Sequence, residues 1–115
     1  MEKRLQEEIQ KARGLEKAEK VYVNGKVVNV FTSEIEEISI AVDKGKIIGL
    51  GDYEGEEAID LEGKYVVPGL IDSHVHIESS MTTPKAFSEV LLKHGVTAII
   101  ADPHEIANVK GIEGI

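Results

Sequence analysis

The chain has 115 residues, 42% hydrophobic and 30% charged, with a formal net charge of −8, no cysteine and no tryptophan. This length admits one ordinary domain or two small ones, and it excludes a complete (β/α)8 barrel, which needs roughly 200 residues or more. The acidic balance argues against nucleic-acid and anionic-membrane partners, and the lack of cysteine removes disulfide scaffolds, thiolate metal sites and Cys nucleophiles. Charges run through residues 1–20, and no apolar stretch approaches the ~20 residues of a membrane span. The expectation is a soluble, cytoplasmic protein.

Leu5, Ile9 and Ala12 fall at helical spacing among charged residues, which predicts a peripheral helix over 2–13 ended by Gly14. From residue 20 the period changes. Val21-Tyr22-Val23, Asn24-Gly25 and residues 26–31 read as a hairpin, with Asn-Gly supplying the two positive-φ residues of a type I′ turn. Residues 38–42 alternate, Asp43-Lys44-Gly45 turns, and 46–50 return. The acidic run 52–57 reads as a solvated loop, and 58–61 and 64–67 around Glu62-Gly63 repeat the strand–turn–strand pattern. Short strands at this spacing predict a small β-sandwich over 20–67, behind a helical extension over 1–19.

Pro68-Gly69 breaks the pattern, and residues 70–76 resume a strand. Thr83 is placed to N-cap a helix with Pro84 at its first position. Phe87, Val90, Leu91 and His94 follow at helical spacing, and Gly95 closes the helix. The continuous apolar run 96–101 predicts a strand buried on both faces. Asp102-Pro103-His104-Glu105 then opens a second helix. Strand, helix, strand, helix makes 68–115 a βαβ(α) unit whose parallel sheet needs more than two strands. Exposed apolar faces and strand edges would favour oligomers, or partial disorder beyond about residue 68.

All four histidines lie within residues 74–104. In a strand, His74 and His76 project from one face and can offer two imidazoles to one metal ion; Val75 faces the other way. Asp72 shares their parity and is placed to fix the tautomer of one ring. A lone His-x-His also occurs as a purely structural pair, but this one ends an apolar strand, where α/β barrels keep their active sites. Asp102, Pro103 and Glu105 fit a capping box that needs no metal. A capping box leaves His104 unexplained, so His104 or Glu105 is expected to face the site. Glu78 in Glu78-Ser79-Ser80 is either a loop residue or a neighbour of metal or substrate. His94, beside Lys93 in a last helical turn, is a dipole partner. Gly49-Leu50-Gly51-Asp52-Tyr53-Glu54-Gly55 lacks dinucleotide-loop spacing.

With these residues in view, Val67-Pro68-Gly69-Leu70-Ile71-Asp72-Ser73-His74-Val75-His76 resembles the strand-1 signature of the amidohydrolase superfamily. His74-Val75-His76-Ile77-Glu78-Ser79-Ser80-Met81 and Ala101-Asp102-Pro103-His104-Glu105-Ile106-Ala107-Asn108-Val109 resemble the first two strand–loop segments of the adenine deaminase family. The resemblance implies an α/β fold class: an N-terminal β-sandwich-like segment, then the first βαβ(α) of a truncated (β/α)8 TIM barrel. It implies metal-dependent hydrolytic deamination of adenine to hypoxanthine and ammonia, in purine salvage, by a homo-oligomer. His74 and His76 match metal ligands; Asp72, Glu78, Asp102, His104 and Glu105 become catalytic or supporting candidates. The implied cofactor is a divalent metal, binuclear, manganese or iron, with zinc as the alternative. The remaining ligands would come from later barrel strands, so the 115-residue chain alone is expected to be inactive. Two other readings stand beside this one: a cyclic-amide amidohydrolase of hydantoinase or dihydroorotase type, and a non-catalytic β-sandwich binding module.

Overall fold

Residues 2–115 are described by the structure, a computed structural model, with side chains from residue 5 onward. They divide into two units, Met1–Val67 and Pro68–Ile115.

The first unit begins with α1 (Glu2–Ala12). Gly14, at φ +71°, ends it in the left-handed conformation that glycine adopts without a Cβ penalty. The Gly14 and Leu15 N–H groups donate to the Lys11 and Gln10 carbonyls at 2.9 and 3.0 Å, which satisfies the last turn. Two sheets follow. One has the order β5-β4-β1-β6, from β1 (Ala18–Val23), β4 (Ile40–Asp43), β5 (Lys46–Leu50) and β6 (Gly55–Asp60). The other has the order β3-β2-β7, from β2 (Lys26–Asn29), β3 (Glu34–Glu37) and β7 (Tyr65–Val66). The core is small: Ala18, Val21 and Ala41, with Val23, Ile48 and Tyr53 packed on it. Gly55 sits beside Val21, where a Cβ would come within 2.9 Å of the valine methyl.

Three sequence expectations fail in this unit. Asn24-Gly25 does not close a hairpin, because β1 and β2 belong to different sheets. Asn24 alone has positive φ (+54°); Gly25 is approached by Leu61, whose Cδ1 would lie 2.5 Å from a Cβ there and would have to turn aside. The chain steps between sheets at this point, and its parallel partner steps with it at Glu62-Gly63, so 58–67 is not a hairpin either. Bonds from Leu61 N–H to Val23 O and from Gly63 N–H to Asn24 O, at 2.9 and 2.7 Å, hold the two stretches together across the step. The type I′ turn is instead at Lys44-Gly45 (φ +49° and +74°), between β4 and β5. The acidic stretch Gly55-Glu56-Glu57 is strand rather than loop, because β6 pairs along β1 from Ala18↔Gly55 to Val23↔Asp60. Phe31, 96% exposed, falls past the end of β2, where the Asn29 side chain accepts from the Phe31 and Thr32 N–H groups and turns the chain.

The second unit is a βαβ arrangement: β8 (Leu70–Val75), a 3-10 turn (Glu78–Ser80), α2 (Pro84–Lys93), β9 (Val96–Ala101), then α3 (His104–Lys110) and a closing 3-10 turn (Ile112–Gly114). β8 and β9 pair in parallel. Thr83 caps α2 through a 3.3 Å bond from the Ala86 N–H, with Pro84 at its first position. Gly95 (φ +80°) follows the helix, and its carbonyl accepts from the Leu70 N–H at 2.8 Å. The expectation that residues 96–101 are buried on both faces is not met: no residue of β9 is buried, because β8 is its only strand partner among the described residues. Val75 is the buried hydrophobic residue of this unit among the described residues.

Candidate metal centre

Parallel pairing of β8 and β9 brings their C-terminal ends side by side. His74 is the penultimate residue of β8, His76 follows that strand, and Asp102 follows β9. The ladder runs one step beyond the strands: the Asp102 N–H donates to Val75 O at 2.9 Å, and His76 Nδ1 lies 2.9 Å from Asp102 O. A carbonyl only accepts, so Nδ1 of His76 carries the proton and its Nε2 lone pair is left available to a metal. His74, His76 and Asp102 each place one ligand atom within 4.8 Å of the others. Two imidazoles and a carboxylate form a donor set suited to a borderline divalent cation. His76 is half-buried, and His74 and Asp102 are exposed.

The rings of His76 and His104 meet edge to face with centroids 4.8 Å apart, the same separation as His74 and His76. His104 Nδ1 lies 3.0 Å from Asp102 Oδ2. That hydrogen bond is the main cause holding the Asp102 carboxyl below the ordinary carboxylate range. Glu78 is lowered as well, first by its own backbone N–H and then by the Ile106 N–H, which donates to Glu78 Oε1 at 3.2 Å.

Several predicted site residues are placed differently from expectation. Asp72 reaches no imidazole; its carboxylate accepts from the His74 backbone N–H at 3.2 Å. Pairing shifts from Asp72↔Ile99 to Val75↔Ala101, so β8 takes up one extra residue between Asp72 and Val75. Asp102 makes no capping box. Pro103 occupies the cap position of α3 without a side-chain bond, and Asp102 is taken by His104. Glu105 turns away to Ser79, whose Oγ lies 2.7 Å from both carboxylate oxygens. Glu78 faces α3. Ser79 belongs to the same arrangement, although a serine in a polar loop carries no distinguishing sequence signal.

Residues 65–115 match the amidohydrolase family model. The chain is 57% identical over 115 residues to an adenine deaminase of Geobacillus kaustophilus, covering all of this chain and 20% of that protein. Adenine deaminases of Bacillus velezensis and Kosmotoga olearia are 55% and 54% identical, over 96% and 90% of the chain and 19% and 18% of those proteins. The chain is similar to adenine deaminases from end to end. It spans about one fifth of the length of these adenine deaminases. Among solved structures, L-hydantoinase of Arthrobacter aurescens matches at TM-score 0.59 and 30% identity, over 75% of this chain and 21% of that one. N-acyl-D-glutamate deacylase of Bordetella bronchiseptica, solved with zinc and a phosphonate inhibitor, matches at TM-score 0.59 over 75% of this chain and 19% of that one; at 24% identity it shows shared fold alone.

Proposed function

We propose that the protein carrying this chain is a metal-dependent adenine deaminase, releasing the purine amino group as ammonia and leaving hypoxanthine. The observation that carries the proposal is the end-to-end similarity to curated adenine deaminases at 51–57% identity. The histidine–aspartate cluster at two parallel strand ends fits it, that being where (β/α)8 enzymes keep their chemistry. In this reading Pro68–Ile115 is the opening βαβα of such a barrel, and residues 20–67 are a small sandwich of their own. His74 and His76 hold the metal, with Asp102 alongside. The cofactor is a binuclear manganese or iron centre, with zinc the alternative.

A divalent ion bound there supplies water that ionises near neutral pH and positive charge against the charge developing at the purine. The chain's own residues orient that centre. The Asp102 carbonyl fixes the His76 tautomer, and His104 holds the Asp102 carboxylate. Three donors do not close a four- or six-coordinate site, so the 115-residue chain by itself is expected to show no turnover. The protein is placed in the cytoplasm, in purine salvage, as a homo-oligomer. The net charge of −8 on this chain is consistent with the absence of nucleic-acid partners, and no helix among the described residues is long and apolar enough to cross a membrane.

Ammonia release from adenine by the full-length protein tests the proposal. Activity is expected with adenine and not with hydantoin or dihydropyrimidines, and it should be lost in His74→Ala/His76→Ala together with bound metal. The reverse preference would favour cyclic-amide hydrolysis, the reading that the likeness to L-hydantoinase supports.

A further inference from the structure

α3 begins without a side-chain cap of its own, since Pro103 stands at the cap position and Asp102 is held by His104. Its first turn is fixed from the loop after β8. Glu78 Oε1 accepts from the Ile106 N–H at 3.2 Å, and Ser79 Oγ lies 2.7 Å from both oxygens of Glu105. Consecutive residues of one loop therefore grip consecutive residues at the start of α3. The residue just before the gripped pair is His104, whose Nδ1 lies 3.0 Å from Asp102 Oδ2. Asp102 is exposed, and His104 is the only side chain that orients its carboxylate among the described residues.

We propose that Glu78 and Ser79 are positioning residues: they clamp the first turn of α3, and through His104 the clamp sets the Asp102 carboxylate against His74 and His76. The inference rests on reading that cluster as a metal centre. It assigns Glu78 a role at the helix rather than on the metal, because one oxygen of its carboxylate accepts from α3 and it is not a member of the three-residue cluster. Without the clamp the first turn of α3 frays, and Asp102 samples rotamers in which it no longer faces the imidazoles. Partners of this kind typically change metal affinity by about 10- to 100-fold.

Titration of the full-length protein with Co2+, followed by calorimetry and by the visible d–d spectrum, tests the proposal. Glu78→Ala is expected to weaken Co2+ binding about tenfold or more and to change the spectrum. Glu78→Gln keeps a carbonyl oxygen for the Ile106 N–H and is expected to restore affinity to near wild type. Ser79→Ala should give an intermediate loss. Wild-type affinity in Glu78→Ala overturns the proposal. So does a Glu78→Gln variant as weak as Glu78→Ala, which would show that the carboxylate charge itself is needed. If Glu78→Ala does not fold, Ser79→Ala decides, since unchanged affinity there overturns the clamp. Failure of the wild-type protein to bind Co2+ would sink the metal centre itself, and the clamp with it, an outcome distinct from binding that is insensitive to position 78.

Discussion

Asp43 is the buried charged side chain among the described residues, only 4% exposed. Lys11 of α1 reaches it with an Nζ–Oδ1 distance of 2.6 Å, and the Glu19 N–H adds a second bond at 3.2 Å. The Lys11 hydrogen bond is the main cause that lowers the Asp43 carboxyl and, reciprocally, raises the Lys11 ammonium. The lowered carboxyl stabilises the fold fully above the unfolded aspartate value of about 3.9, and that share is lost as pH falls through the lower native value. The raised ammonium contributes fully below about 10.4, and its share is lost as pH rises through the native value. Thermal unfolding followed by circular dichroism across pH should therefore show both an acid and an alkaline loss. Lys11→Met strands the buried carboxylate and should lower the midpoint at pH 7 by about 5 °C or more, a gap that narrows toward pH 3 as Asp43 protonates. A pH-independent gap would disprove this account.

At the scale of elements, α2 is the clearest case of local chemistry deciding structure. Thr83→Ala removes the oxygen that accepts from the Ala86 N–H and should cost about 1 kcal/mol of stability in urea titrations, whereas Thr83→Ser should cost little. No loss in the alanine variant would count against the cap. The same elements show what the sequence could and could not reveal. α2, β8, β9 and the turn at Lys44-Gly45 were legible because a cap, a period or a turn dipeptide specifies each locally. The step at Asn24-Gly25 was not, because it is tied by backbone bonds to the stretch after β6, from Leu61 N–H to Val23 O and from Gly63 N–H to Asn24 O, far along the chain. The pairing of Glu34–Glu37 and the acidic start of β6 were hidden because their strands are held by backbone ladders that acidic side chains do not disturb. In the site, His74 and His76 could be read from spacing alone. The register shift after Asp72 depends on pairing with β9, nearly thirty residues away, and Asp102 leaves the cap position for His104 only two residues on, a choice between two local partners.

For the molecule as a whole, the second unit leaves much apolar surface in water: Ile71 of β8 and Ile100 of β9 are 68% and 62% exposed. Exposed apolar strands of this kind drive association. The 115-residue chain is expected to show a mass that rises with concentration in size-exclusion light scattering, and Ile71→Lys/Ile100→Lys should reduce the effect. A monodisperse monomer over a hundredfold concentration range would refute it. The parallel alignment of β1 with β6 carries a different consequence, one of timing. β4 and β5 meet through a two-residue turn and can zip together within microseconds. Val21 must instead wait for Ala58, across the whole of that hairpin. During synthesis, β1 emerges first yet completes its sheet last, with β4 as its only available neighbour until β6 has left the ribosome. Pulse-labelled hydrogen exchange should accordingly protect the amides of residues 40–50 before those that bind β1 to β6.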